Sequence, residues 1–281
     1  MKTILYATDY SDNSIAALRQ AQFWSELMNA SLIVLHVFDV PISVASPVTL
    51  AYTQKEKRLF TEHHAKLKTF CWKHLDTYLH KTKIRFEVVE NGMADDAIVE
   101  QAVELNADLI VVGTKGSSAL KEFILGSTAK GLIGKAPCPV LVVPEGCDNT
   151  QMKTIVYATD FEGADIFAIR RLAKIAKALD ATIKVVHIST KAEYAGDQQF
   201  QWFKDMVGQK IKYDKIEFFM IYSESVYEEL LEFMVDSEAD MLAMLERGQK
   251  GIMAKLFHRD LVKKMESGIG IPFLSFAVEG L

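Results

Sequence analysis

Apolar residues in this chain come in two kinds of run, and the two kinds alternate. Short, unbroken runs rich in Ile and Val read as strands buried on both faces: Thr3–Thr8 (TILYAT), Ser31–Phe38 (SLIVLHVF) and Ile84–Val89. Between them lie longer stretches whose apolar residues fall three and four apart. Ser11–Met28, with Ile15, Leu18, Phe23 and Leu27, reads as an amphipathic helix with Ser11 or Asp12 near its cap. A long helix is expected over roughly Lys55–Lys81, and another over Ala94–Leu105, with Asp95 and Asp96 in the first turn as the dipole prefers. Strand, helix and strand at these lengths make βαβ units, and therefore a parallel sheet.

The pattern then repeats. Ile155–Asp160 (IVYATD) nearly copies Ile4–Asp9 (ILYATD), and the offset of 151 between Ile4 and Ile155 also relates His36 to His187. Asp240–Leu245 echoes Asp108–Gly113, but from Asp108 to Asp240 the offset has fallen to 132. The chain is therefore two copies of one fold, with extra residues in the first copy between its second and fourth strands. They are expected just after Phe38, in Asp39–Gln54, a Pro-containing, apolar and weakly periodic loop. That loop reads equally as a lid, as a surface for a partner, or as cover for a sheet edge or the other domain. Glu145–Gln151 is a polar linker, which gives domains at 1–146 and 152–281. In the second copy, strands are expected near Thr154–Thr159, Thr182–Ile188, Ile216–Ile221, Met241–Leu245 and Phe273–Val278. Its helices are expected near Gly163–Leu179, Glu193–Ile211, Ser225–Ser237 and Asp260–Met265.

One stretch carries chemistry. The buried run Leu109–Val112 ends at Gly113, Gly116 follows, and Gly126 comes next with Ser127 and Thr128 at the start of a helix. Pro137 and Pro139 then introduce a last strand, Val140–Val143. Glycines at the carboxyl end of a buried strand allow close backbone approach and positive φ. A Gly-Ser-Thr at a helix start offers backbone N–H groups, two hydroxyls and the positive end of the helix dipole. Each residue alone has a local explanation: a tight turn for Gly113, an N-cap for Ser127. Three glycines and a hydroxyl pair in one strand–loop–helix favour a phosphate. In the second copy Gly113 becomes Leu245, Gly126 becomes His258 and Ser127 becomes Arg259, with Gly116 kept as Gly248, so nucleotide binding is not expected there. Lys250, Lys255 and Arg259 read as surface charges.

Composition narrows the function classes. A length of 281 residues suits two small α/β domains, and a net charge of −5 argues against a nucleic-acid partner. Cys71, Cys138 and Cys147 form no CxxC pair, which fits a reducing compartment; Cys138 reads as a small core residue. Asp9 and Asp12 come too early for a signal peptide, and no apolar run approaches a membrane span, so a cytoplasmic location is expected. His63, His64, His74 and His80 have no metal-site spacing and read as a solvated helix face, while His36 and His187 read as hydrogen-bonded core residues.

The spacing Gly113-x2-Gly116-x9-Gly126-Ser127 resembles the ATP-binding motif of the universal stress protein (UspA-like) family, and both halves look like domains of that family. The resemblance implies an α/β fold of two tandem, doubly wound domains with five-stranded parallel sheets of Rossmann-like type. It implies pairing of the domains through Val140–Val143 and Phe273–Val278, and leaves a homodimer open. It also implies ATP, with or without Mg²⁺, bound in the first domain. Asp9 matches the acidic residue that contacts the ribose or adenosine side, and Val37 the position whose backbone bonds the adenine edge. Gly113, Gly116, Gly126, Ser127 and Thr128 match the triphosphate loop. Ala7 stands where binders often have proline; it completes the expected set with Thr8 and Val112 at the strand ends. For Asp9, capping of the following helix is the competing role. The function implied is that of a regulatory stress-response protein that binds ATP or a related adenine nucleotide. No GxxxxGK[ST] loop or kinase signature is present, so turnover beyond slow ATP hydrolysis is not expected. The alternatives are an interaction scaffold that binds no nucleotide and a slow ATPase.

Overall fold

The computed structural model describes residues 1–40, 50–75, 83–114, 125–191, 196–246 and 270–277, with side chains 50–54 aside. The described residues form two compact units, 1–148 and 149–277.

In the first unit the strands are β1 (Thr3–Ala7), β2 (Ser31–Phe38), β3 (Ile84–Glu90), β4 (Leu109–Gly113) and β5 (Val140–Val143). They alternate with α1 (Asn13–Leu27), α2 (Leu50–His74), α3 (Ala94–Glu104) and α4 (Ser127–Lys135). The sheet is parallel, in the order β3-β2-β1-β4-β5. The chain steps outward from β1 to β3, then crosses back to β4, so the order reverses between β1 and β4. In an open α/β sheet that reversal opens a crevice at the strands' carboxyl ends. The central strands are buried on both faces, as unbroken apolar runs require. α1 packs on β1 and β4, α2 on β2 and β3, and α3 against α4.

The second unit repeats this plan with β6 (Thr154–Ala158), β7 (Thr182–Ser189), β8 (Ile216–Tyr222), β9 (Met241–Glu246) and β10 (Phe273–Ala277). Its helices are α5 (Gly163–Leu179), α6 (Gly196–Lys210) and α7 (Val226–Asp236). The order is β10-β9-β6-β7-β8, again parallel. Register makes the repeat quantitative. Ile4 pairs with Leu109 as Ile155 pairs with Met241, and Leu32 pairs with Ile84 as Ile183 pairs with Ile216. The offset has already fallen to 132 at the third strand, so the extra residues of the first copy lie between β2 and β3.

Part of that insertion is helix. α2 begins at Leu50, so Leu50–Gln54, expected within the loop, belong to it instead. The last breaker before it is Pro47, and nothing after that position opposes a helix. Residues 41–49 lie outside the described residues, as do residues 76–82 at the expected end of this helix. α6 starts at Gly196 and ends at Lys210, and the Asp260–Met265 helix lies outside the described residues.

Both units close their first βα turn in the same way. Tyr10 and Phe161 are left-handed, at φ 66° and 60°, and their N–H groups donate to Thr8 Oγ1 and Thr159 Oγ1. Asp108 and Asp240 each accept two backbone N–H groups at the start of the first strand of their unit.

Candidate functional site

At the point where the strand order of the first unit reverses, a cleft of about 220 Å³ opens. Nine of the residues singled out by the sequence line it: Ala7, Thr8 and Asp9 at the end of β1, Val37 of β2, Val112 and Gly113 of β4, and Gly126, Ser127 and Thr128 at α4. Gly116 lies outside the described residues. The structure adds Ser11, Ser14, Ala94, Ile98, Thr114 and Ala129.

α4 presents its amino end to this cleft. Gly126 is the N-cap, in extended conformation, and Ser127 is the first helical residue, so Ser127 is not the cap. The first intrahelical bond runs from the Lys130 N–H to the Gly126 carbonyl. The N–H groups of Ser127, Thr128 and Ala129 therefore precede the helix's own acceptors. With the positive end of the dipole and the hydroxyls of Ser127 and Thr128, they form a donor set suited to an anion. Lys135, at the other end of α4, pairs with Asp95 at 2.7 Å and with Asp96 in the first turn of α3. That pair draws down the Asp95 carboxyl through its hydrogen bond to Lys135.

Gly113 is required for a different reason than a turn. Its φ is not positive. A Cβ there would lie 2.6 Å from the Asn13 carbonyl oxygen and 3.4 Å from Ser14 Cα, so the glycine lets α1 dock against the end of β4. That close approach forms one wall of the cleft.

Behind the cleft runs a chain of buried hydroxyls. The Thr8 hydroxyl donates to Ser14 Oγ (2.9 Å), which donates to the Ser11 carbonyl (2.6 Å), and the Tyr6 hydroxyl donates to the Ser14 carbonyl (2.6 Å). Burial raises the Tyr6 phenol far above its ordinary value. Asp9 does not cap α1, whose N-cap is Asp12. Its Oδ1 accepts the Ser11 N–H at 2.9 Å, an Asx turn that holds the carboxylate at the exposed rim. His36 is a hydrogen-bonded core histidine, as expected: its Nδ1 lies 2.8 Å from the Thr8 carbonyl, and burial lowers its pKa. His63 is not on a solvated face; it stacks on Phe38 and His36. Cys71, Cys138 and Cys147 are buried thiols, and burial pushes Cys71 up to about 12.

Comparison with known proteins adds the family. The model of the universal stress protein family matches residues 1–144. The chain belongs to that family. A universal stress protein of Methanocaldococcus jannaschii is 35% identical over 142 residues, covering 50% of this chain and 81% of that protein. One from Thermus aquaticus is 30% identical over 145 residues, covering 50% of this chain and 98% of its own. A universal stress protein crystal structure from Archaeoglobus fulgidus covers 98% of both chains at a TM-score of 0.65 and 16% identity, a likeness of fold alone. The Rossmann-like α/β architecture of this family is the one described above.

The second unit repeats the architecture with different residues at the equivalent positions. The residue equivalent to Ser14 is Asp165, buried, with its carboxylate accepting from the Tyr157 hydroxyl (2.7 Å), the Thr159 hydroxyl (3.0 Å) and the Glu162 N–H (3.1 Å). The equivalent of Gly113 is Leu245, also buried. Gly248, His258 and Arg259 lie outside the described residues. Ser14 escapes a motif search; the aligned pair Ser14 and Asp165 is the sequence signal that could have found it.

Proposed function

We propose that the first domain, 1–146, binds ATP or a related adenine nucleotide in this cleft, and that the protein acts as a nucleotide-responsive regulator in the stress response rather than as a catalyst. The observation that carries the reading is the gathering of the motif residues around one cleft, with the amino end of α4 as its floor. The triphosphate lies on the N–H groups of Ser127 and Thr128, the ribose side meets Asp9, and the adenine edge meets the Val37 backbone. A Mg²⁺ ion fits here as a phosphate-held companion of ATP, because Asp9 is the one carboxylate among the described residues that line the cleft. The second domain, 152–281, is read as a copy without this site: Asp165 puts a carboxylate where the first domain has a serine hydroxyl, and Leu245 replaces the clearance glycine. Three cysteines without a disulfide among the described residues support a reducing, cytoplasmic setting.

Equilibrium dialysis of the full chain with ATP tests this reading. The natural protein retains ATP, and Gly126→Val, which places a branched side chain at the anion-binding cap, loses it. Equal retention by both proteins would overturn the placement. No retention by the natural protein would return it to the role of interaction scaffold.

A further inference from the structure

Two histidines from different elements meet beside the cleft. His36 of β2 and His63 of α2 stack with ring centroids 4.9 Å apart and planes 25° from parallel. His63 also lies on Phe38 at 4.6 Å. The Tyr10 ring also lies 4.2 Å from His36, and the Tyr10 hydroxyl donates to the His63 carbonyl at 3.3 Å. The left-handed turn that frames the cleft therefore reaches α2 through three rings.

The hydrogen bonds say where a proton would go. The Thr8 carbonyl can only accept, so His36 Nδ1 carries its hydrogen, and Nε2 is the atom that takes up a proton. His63 Nδ1 is buried and has no hydrogen-bond partner among the described residues. The surrounding charges do not favour a cation. Lys66 of α2 holds its Nζ 4.1 Å over the Tyr10 ring and opposes protonation of both histidines. Asp9 on the β1 side and Glu62 on α2 act the other way. Cys71 stays a neutral thiol, and Arg19, Asp12 and Lys73 face His74, further along α2. Burial is the largest cause that holds both His36 and His63 below the usual imidazole range.

The second copy provides an internal contrast. His187 Nδ1 lies 2.7 Å from the Thr159 carbonyl, and Phe161 covers its ring at 4.2 Å. Phe161 packs in turn on Phe203 and Phe200 of α6. Among the described residues, only the first unit stacks a second histidine on the buried one.

We propose that the His36–His63 pair makes ligand binding in the first unit sensitive to protons: protonating the pair loosens α2 from the Thr8–Tyr10 turn and weakens nucleotide binding. The proposal rests on the reading of the cleft as a nucleotide site. A proton on either ring places positive charge against a second imidazole and beside Lys66, and the strain is relieved when α2 moves away. Tyr10 then loses its hydrogen bond to the His63 carbonyl and its contact with Phe70 of α2, 5.6 Å away, and with them Thr8 and Asp9 lose part of their setting at the cleft.

The test is the affinity of the full chain for ATP, by calorimetry, at about pH 7.5 and about pH 5.5, for the natural protein and for His63→Phe. Phosphate titrates near pH 6, so the readout is the difference between the two proteins. The natural protein should lose about tenfold more affinity than His63→Phe between the two pH values. The same loss in both overturns the proposal. If neither binds ATP at the higher pH, the nucleotide reading fails, and the proton device is judged on the ligand-free chain. Amide hydrogen exchange of α2, corrected for intrinsic rates, should then quicken at the lower pH in the natural protein alone. Equal protection in both proteins overturns the device.

Discussion

Gly113 and Asn13 approach so closely that a Cβ on the glycine would lie 2.6 Å from the asparagine carbonyl oxygen. The obstacle is backbone in the first turn of α1, not the mobile tip of a side chain. Gly113→Ala should therefore push α1 away from β4, at a cost of about 1–3 kcal/mol. Urea unfolding of the two proteins measures it, and equal midpoints would show that the helix yields without strain.

Much of the fold was legible. Parallel strands buried on both faces must be unbroken apolar runs, so β1, β2, β4 and β5 stood out, and the repeat of ILYATD as IVYATD doubled the plan. The reason for Gly113 was not legible, because its neighbour Asn13 lies far away in sequence and meets it only after β1 and β4 pair. His63, without metal-site spacing to its neighbouring histidines, reads from sequence as part of a solvated helix face. The spacing Phe60, His63, Leu67, Phe70 carries the inward face of α2, and that period outweighs the charge of its neighbours. The gathering of Gly126, Ser127 and Thr128 at a helix start was legible because that signal is local in sequence.

Ser127 separates stability from binding. It is exposed at the first position of α4, where a carboxylate favours the helix dipole. Ser127→Glu should leave the fold unharmed or stabilise it by about 0.3–1 kcal/mol, yet abolish ATP binding through charge repulsion. Thermal unfolding and ATP dialysis on the same sample check both signs.

Asp165 holds two buried hydroxyls and a backbone N–H. Asp165→Ala leaves Tyr157 and Thr159 without that acceptor and should cost about 1–3 kcal/mol for each group left unsatisfied. Chemical denaturation measures it. The reciprocal change, Ser14→Asp, brings a carboxylate to the wall of the first cleft and should weaken ATP binding in calorimetry.

Acid should destabilise the protein through His36 and His63. Both are lowered from 6.5, so the unfolded chain binds protons more readily than the folded one. Their contribution is complete above about pH 6.5 and is lost as pH falls below it. Urea midpoints across that range should fall with pH in the natural protein and fall less in His63→Phe.

The most direct measurement is the stoichiometry of ATP binding to the full chain by calorimetry, run beside Ser127→Glu. One ATP per chain is expected for the natural protein, and none for the variant. Two per chain would contradict the reading of Asp165 and Leu245, and none for the natural protein would contradict the nucleotide site itself.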